Sequence, residues 1–406
     1  MHRDRPIIQV LSPRTWGEFG NYLAATRFSR ALRTAVEAET VLLEAEPILP
    51  WLGEAGAEIR TISLTSPDAA TRTERYMGLM GRLQERFPAG FEAAPTPAQR
   101  TALAPLTAHL ARTAPDVLVG TKGFVARLCV AAVRLSGVRT RVVSHVTNPG
   151  LLQLPLHRSP YPDLTLVGFD WARDRLLADC GGDPARVRVI GPLVAQHDLR
   201  DFMTAGSARE ADGPEEPWGG DDDPDRPRLI VFCNRGGDTY LDLVRHIADT
   251  HPDTDLVFVG YDDPGLAHRA AAGAARLAHW RFHSRLTQTQ YFDYIDRAAR
   301  SPHGLLISKA GPNTTLEAAY FGIPVLMLES GLPMERWVPG LIHEHGLGRA
   351  CAGPEELLGT VDDWLARPAA IETHKKAAVS FAESVLDQDA VTARIGDAVR
   401  PLLEAR

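Results

Sequence analysis

Short apolar runs alternate with segments of helical spacing over most of the chain. In the N-terminal half, continuous apolar runs predict six strands, at residues 6–12, 40–46, 116–120, 140–146, 163–169 and 186–191. Residues 21–36 carry apolar side chains at helical spacing, which predicts an amphipathic helix. Further helices are predicted at 66–113, 122–135 and 171–181. Continuous apolar strands that alternate with helices indicate a parallel sheet covered on both faces.

The composition changes abruptly at residue 204. The segment 204–227 is polar, acidic and rich in glycine and proline, which is typical of a solvated linker. A second alternating pattern follows, with strands predicted at 228–234, 255–261, 304–309 and 324–329. Helices are predicted at 239–250, 264–277, 289–300, 314–321, 355–366 and 371–406.

The pattern therefore predicts an α/β protein with two doubly wound, Rossmann-like domains that face each other across a cleft. We predict an N-terminal domain of residues 1–203, the linker, a C-terminal domain of residues 228–388 and a final helix at 389–406. In open parallel sheets, ligands bind outside the carboxyl ends of the strands. The expected site is the cleft between the two domains.

Composition and charge exclude several classes of protein. The 406 residues carry a formal net charge of −7, so no basic face for nucleic acid or an anionic membrane is expected. The sequence contains no run of 18 apolar residues, so no transmembrane helix is expected. The N-terminus lacks a signal-peptide pattern, and we therefore expect a cytoplasmic protein. The four cysteines are far apart and form no CxxC, which argues against disulfides or a zinc site.

The most informative segment is residues 308–337. A Gly311-Pro312 turn follows a predicted strand and precedes a helix that we expect to be capped near Asn313 or Thr314. The N-terminus of such a helix attracts anions. Glu317 lies about one turn into this helix, where its carboxylate could accept hydrogen bonds from both hydroxyls of a ribose. The alternative is a capped helix in which Glu317 only offsets the dipole.

This segment resembles the nucleotide-sugar site of GT-B glycosyltransferases. The closest resemblance is to the branch of the peptidoglycan N-acetylglucosaminyltransferase and the monogalactosyldiacylglycerol synthases. The residues that carry it are Lys309, Ala310, Gly311, Thr314 or Thr315, Glu317, Ala318, Gly322, Pro324, Glu335 and Arg336. It implies a GT-B fold in which the C-terminal helix returns to the N-terminal domain.

The resemblance also implies a role for individual residues toward the donor. Glu317 would bind the ribose, the segment Gly311–Thr315 would hold the diphosphate, and Glu335 with Arg336 would contact sugar hydroxyls. Arg235 lies in a loop where the family has a phosphate-binding loop, and His283 lies where the family reads the base. The complete donor-binding set is Asn234, Arg235, Gly236, His283, Lys309, Gly311, Asn313, Thr314, Thr315, Glu317, Glu335 and Arg336.

The loop after the first strand is the candidate acceptor site. Gly17 and Gly20 allow a close approach of backbone to ligand, but Asn21 stands where the galactolipid enzymes carry a histidine. An inverting transfer needs a base, and Glu18 is the nearest ionisable group in the loop. His145, at the end of a predicted strand, is the rival base. The acceptor-binding candidates are Gly17, Gly20, Asn21, Asn148 and His157.

The sequence therefore predicts an inverting glycosyltransferase that needs no metal and no cofactor. Its co-substrate would be a nucleotide diphosphate sugar, with UDP the first choice, and its acceptor a soluble small molecule such as a natural product, as in antibiotic biosynthesis. A non-hydrolysing sugar-nucleotide 2-epimerase and a non-catalytic accessory protein of the same fold remain alternatives. A dehydrogenase is disfavoured because residues 16–21 lack G-x-G-x-x-G. The sequence leaves monomer and homodimer open.

Overall fold

The chain forms two α/β units of similar size. The structure is a computed structural model that describes residues 5–15, 20–66, 69–148, 150, 158–194, 225–233, 237–260, 265, 268–270, 279–284, 286–309, 311–328 and 334–404. Unit 1 comprises Met1–Val194, Leu332–Met334 and Leu386–Arg406, and unit 2 comprises Ala195–Gly331 and Glu335–Val385. The predicted linker lies outside the described residues up to residue 224.

Unit 1 contains a six-stranded sheet. Its strands are β1 (Ile7–Ser12), β2 (Glu39–Glu44), β3 (Val117–Thr121), β4 (Arg141–His145), β5 (Leu164–Val167) and β6 (Val187–Val189). Their spatial order is β2-β1-β3-β4-β5-β6, and all described pairings are parallel. Its helices are α1 (Gly20–Ala35), α2 (Pro50–Thr65), α3 (Ala69–Arg86), α4 (Pro97–Thr113), α5 (Gly123–Ser136) and α6 (Asp170–Cys180). A 3₁₀ turn at Pro184–Arg186 precedes β6.

Unit 2 contains a second six-stranded sheet. Its strands are β7 (Arg228–Cys233), β8 (Asp255–Gly260), β9 (Trp280–His283), β10 (Leu305–Lys309), β11 (Val325–Leu328) and β12 (Gly348–Cys351). Their order is β12-β11-β10-β7-β8-β9, again parallel throughout. Its helices are α7 (Gly237–Thr250), α8 (Gln288–Arg300), α9 (Pro312–Tyr320), α10 (Trp337–His345), α11 (Pro354–Ala366) and α12 (Pro368–Val385).

The sheet of unit 1 is buried on both faces, as the unbroken apolar strands require. On one face, Ile8 and Val10 pack in a cluster with Phe28 of α1. On the other face, Leu11 packs with residues of α2 to α5. This second layer also contains a buried ion pair, in which the Arg127 guanidinium donates to both carboxylate oxygens of Glu92 at 2.7 and 3.1 Å.

The last helix, α13 (Gln388–Glu404), belongs to unit 1. It packs against α1 through apolar side chains that join the same cluster as Phe28, namely Val391, Ile395, Val399 and Leu403. Gln388 anchors its start, because its side-chain amide donates to the Pro192 carbonyl at 3.0 Å and its oxygen accepts from the Val194 amide at 3.0 Å.

Most predicted elements are confirmed, and several features differ. The helix α10 (Trp337–His345) was not predicted. The helix α2 was not predicted, because Pro50, Gly53 and Gly56 weaken its helical signal, yet Leu52 is fully buried in the core. The short strands β9 and β12 were not predicted as strands. The C-terminal helical segment, predicted as continuous from residue 371, is broken between α12 and α13. The helix predicted at 264–277 lies mostly outside the described residues.

Two further observations concern the described part of the chain. No helix there has the length and apolarity needed to cross a membrane. No cluster of three or more His, Cys, Asp or Glu side chains suited to a metal ion occurs there either. All four cysteines carry free thiols.

Candidate functional site

The turn between β10 and α9 forms the start of the candidate donor site. α9 begins at Pro312, and its N-cap is Gly311, whose backbone is extended at φ −93° and ψ 123°. The expectation of a cap near Asn313 or Thr314 was wrong, because proline at the first helical position already has the helical φ and needs no N–H partner. The Thr315 amide and hydroxyl both reach the Gly311 carbonyl, at 3.1 and 2.9 Å. The first turn therefore presents backbone N–H groups that have no intrahelical acceptor.

Glu317 is a buried carboxylate in α9. Its Oε2 accepts a hydrogen bond from the Tyr291 hydroxyl of α8 at 2.9 Å. The Tyr291 ring is itself held by an edge-on contact with Phe232 of β7, with ring centroids 5.0 Å apart. A carboxylate that accepts one hydrogen bond from a phenol can accept further hydrogen bonds. Glu317 could therefore accept hydrogen bonds from hydroxyl groups of a ligand. Tyr291 was not among the predicted site residues.

Lys309 and Glu335 are brought together although 26 residues separate them. The Lys309 ammonium donates to Glu335 Oε1 at 3.2 Å, and both side chains are largely buried. Arg336, the N-cap of α10, is exposed. Since Lys309 ends β10, the ion pair lies at the carboxyl edge of the sheet of unit 2, the edge at which open parallel sheets bind ligands.

His283 ends β9 at the same edge of this sheet. Its Nε2 and the Tyr294 hydroxyl form a hydrogen bond of 2.8 Å. Burial, followed by the charge of Arg281, lowers the pKa of His283, and burial raises the pKa of Tyr294 to about 12. Both groups are therefore uncharged at neutral pH. The role of His283 toward the base stays a prediction.

Unit 1 has its own polar corner at the ends of β3 and β4. His145 is buried and stacks on Phe28 with ring centroids 4.3 Å apart, and burial lowers the pKa of His145 to about 3. Its Nδ1 has no hydrogen-bond partner in the part of the chain that the structure describes. Asn148 is partly buried, and its Oδ1 accepts from the Gly150 amide at 3.1 Å.

Lys122 adjoins His145 and has an unusual backbone. Its amide donates to the His145 carbonyl at 2.8 Å, and its φ of +81° is rare for a residue with a side chain. The residue is buried, and burial lowers the pKa of its ammonium to about 7. Backbone conformations of this kind cost of order 1–3 kcal/mol and concentrate at functional sites.

The remaining predicted site residues fall into two groups. Gly20 and Asn21 are the first residues of α1. The predicted residues that lie outside the described ranges are Gly17, Glu18, His157, Asn234, Arg235, Gly236 and Ala310.

Solved structures of low sequence identity share this fold. No protein-family model matches the chain, and no curated protein sequence matches it. A Listeria monocytogenes protein whose proposed activity is UDP-N-acetylglucosamine 2-epimerase is 15% identical with a TM-score of 0.62, covering 100% of this chain and 98% of its own. The calicheamicin glycosyltransferase CalG4 is 15% identical with a TM-score of 0.55, covering 99% of each chain. Phytolacca americana UGT2, in complex with UDP-2-fluoro-glucose and pterostilbene, is 12% identical with a TM-score of 0.58, covering 98% of this chain and 100% of its own.

These matches define the class of fold. Two six-stranded parallel sheets flanked by helices are the GT-B architecture of two Rossmann-like domains. The neighbours are of two kinds: a sugar-nucleotide epimerase by proposed activity, and glycosyltransferases, one of which is in complex with a UDP-sugar analogue.

Proposed function

We propose that the chain is an inverting glycosyltransferase that moves a hexose from UDP to a hydroxyl or amine of a small-molecule acceptor. The observation that carries this proposal is the buried Glu317 carboxylate, held by Tyr291 about one turn into the helix that follows β10. The resemblance of residues 308–337 to the peptidoglycan and galactolipid transferase branch supports it, as does the fold shared with UDP-sugar enzymes.

The proposed donor contacts follow from the chemistry of unit 2. Glu317 accepts hydrogen bonds from the ribose hydroxyls, while the N–H groups at the start of α9 receive the diphosphate. The positive end of the helix stabilises the charge that develops on the leaving diphosphate. Arg235 adds a charge-assisted contact.

The proposed acceptor site belongs to unit 1, with Glu18 as the base that removes the acceptor proton. The acceptor is a soluble molecule such as a natural-product aglycone, because a formal net charge of −7 disfavours docking on an anionic membrane. Cytoplasmic location stays a prediction from the sequence.

Replacing Glu317 tests the donor site. Glu317→Ala is expected to weaken UDP binding by roughly 1.5–3 kcal/mol, the range for hydrogen bonds to a charged group. Isothermal titration of UDP into the wild type and the variant measures it. Glu344→Ala, an exposed glutamate of α10, is the matched control. Unchanged UDP affinity in folded Glu317→Ala would contradict the assignment.

Removal of divalent cations tests the leaving-group chemistry. Transfer activity is expected to survive EDTA, because backbone N–H groups and Arg235 replace a bridging cation. The measurement is product formation with EDTA and after addition of Mg²⁺ or Mn²⁺. Loss of activity that either cation restores would contradict this part of the proposal.

A 2-epimerase is the second candidate, favoured by the TM-score of 0.62 to the Listeria protein. The two activities differ in their need for an acceptor. Incubation with UDP-N-acetylglucosamine alone, followed by analysis of the sugar configuration, separates them. Conversion without an acceptor establishes the epimerase, whereas acceptor-dependent release of UDP establishes the transferase.

A further inference from the structure

The carboxylate of Glu46 holds the chain where it leaves β1. Thr15 lies three residues after the end of β1, and both its amide and its hydroxyl donate to Oε1 of Glu46, at 2.7 and 2.8 Å. Glu46 itself lies two residues after the end of β2. The Ala45 amide donates to the Ser12 carbonyl at 2.9 Å, so the two segments already meet where their strands end. One carboxylate therefore fixes both the backbone and the side chain of Thr15.

The hydrogen bonds to Glu46 are charge-assisted. Burial acts to raise the pKa of the Glu46 carboxyl, but hydrogen bonds from the Arg14 and Thr15 amides and from the Thr15 hydroxyl outweigh it and lower that pKa. The carboxylate is therefore charged at neutral pH, and hydrogen bonds to a charged acceptor are stronger than neutral ones. The Arg14 guanidinium also donates to Glu44 at 2.9 Å, but this pair is largely exposed and adds little.

Helix α2 leaves room for Thr15 at Gly56. A methyl group on Gly56 would overlap the Thr15 hydroxyl oxygen and lie 3.0 Å from Thr15 Cβ, closer than side chains normally approach. Glycine within a helix is less stable than alanine, so its place in α2 has a packing reason. On the same helix, a methyl group on Gly53 would make only an ordinary contact with Glu46, at 3.5 Å. Thr15 is therefore held by the Glu46 carboxylate and packed against the backbone of α2.

The position of Thr15 limits the region that Glu18 can reach. Glu18 follows Thr15 by three residues, and three residues span at most about 11 Å. A displacement of Thr15 therefore displaces the region that is open to the Glu18 carboxylate. Misplacing a catalytic group by about 1 Å can lower a rate by about 10²-fold.

We propose that Glu46 is a positioning residue that fixes the start of the loop after β1 through Thr15, and that Gly56 is the position at which α2 admits Thr15. The inference rests on the proposed function, in which this loop supplies the base. Glu46 acts through Thr15 on the acceptor half of the reaction. The affinity for UDP, which is proposed to bind to unit 2, is therefore independent of Glu46.

Two substitutions of similar length separate the hydrogen bonds of Glu46 from its volume. Glu46→Met removes both acceptor oxygens, whereas Glu46→Gln keeps one. Release of UDP from UDP-glucose, with 4-methylumbelliferone or water as acceptor, is expected to fall roughly 10- to 100-fold in Glu46→Met and to recover at least in part in Glu46→Gln. UDP affinity by titration should stay unchanged in both. Glu54→Gln, at an exposed glutamate of α2, is the control.

Amide hydrogen exchange reports on the same contact without a donor or an acceptor. Because the Thr15 amide donates to Glu46, the segment that carries Arg14 and Thr15 is expected to exchange roughly 10-fold faster in Glu46→Met than in the wild type.

Gly56→Ala tests the packing of Thr15 against α2. The added methyl group is expected to displace Thr15 and to lower UDP release to a similar extent as Glu46→Met. Adding Thr15→Ala removes the overlapping hydroxyl, so the loss in the double variant should be smaller than the product of the two separate losses. Gly78→Ala, on α3, is the matched control, because an added methyl group there meets no atom within 4 Å.

The outcomes separate this inference from the proposed function. If the wild type neither binds UDP nor releases it from UDP-glucose, the proposed function fails and this inference fails with it. If the wild type releases UDP, an equal rate in Glu46→Met overturns only this inference, and so does an equal loss in Glu46→Met and Glu46→Gln. Unchanged exchange of the Thr15 segment in Glu46→Met also overturns it. A fall in UDP affinity as large as the fall in rate would do the same.

Discussion

Glu18→Gln is expected to lower the turnover number by roughly 10²- to 10⁴-fold, the usual contribution of general acid–base catalysis. The substitution keeps the shape of the side chain and removes its basicity. In the sequence Glu18 lies between Gly17 and Gly20, and glycines at these positions allow backbone to come close to a ligand, which is why we propose Glu18 as the base. Initial rates at saturating UDP-sugar measure the effect, and UDP affinity by titration should be unchanged.

His145→Asn is the comparison that decides between the two base candidates. A base works best with a pKa near the working pH, and burial lowers the pKa of His145 to about 3. We therefore expect His145→Asn to affect turnover less than Glu18→Gln. Near-normal turnover in Glu18→Gln with loss in His145→Asn would assign the base to His145.

The stability of the protein is expected to increase with pH above neutrality because of Lys122. Burial lowers the pKa of its ammonium from 10.5 to about 7 in the folded state. Between these values the unfolded chain binds a proton that the folded chain does not, so the free energy of unfolding rises with pH. One such group contributes up to about 1.4 kcal/mol per pH unit, and this stabilisation is lost as the pH falls toward 7.

Lys122→Met isolates this contribution, because methionine retains a long side chain at the same strained φ. Urea unfolding at pH 7, 8 and 9 should give a smaller increase in stability with pH for Lys122→Met than for the wild type. Lys375, whose pKa burial also lowers, contributes to both proteins alike. Lys376→Met, at an exposed lysine, is the control. If the free energy of unfolding rises equally with pH in the wild type and in Lys122→Met, the lowered pKa of the Lys122 ammonium is contradicted.

Ten of the twelve described strands could be predicted, because a parallel sheet covered on two faces needs unbroken apolar runs. The elements that escaped prediction lack that signal. β9 and β12 are four residues each, and α2 depends on tertiary packing of Leu52 to offset its glycines and proline. The start of α9 was misplaced because cap side chains were expected where Pro312 begins the helix.

Residues of the candidate site could be predicted only where they belong to a local sequence motif. Lys309, Glu317 and Glu335 follow from the motif of residues 308–337. The partner of Glu317 does not, since Tyr291 lies on another helix, α8, and only packing brings the two side chains together. Likewise, no local pattern pairs Lys309 with Glu335, because contacts between distant residues follow from topology rather than from periodicity.

The return of α13 to unit 1 sets an order of events during protein synthesis. Phe28 and its neighbours on β1 and β3 are covered only once the apolar side chains of α13 pack against them. The ribosome makes α13 after the residues of unit 2. The unit made first is therefore completed last, and its nascent form exposes an apolar face in the interval. The unit made second holds all its strands within one continuous stretch and can fold as it emerges.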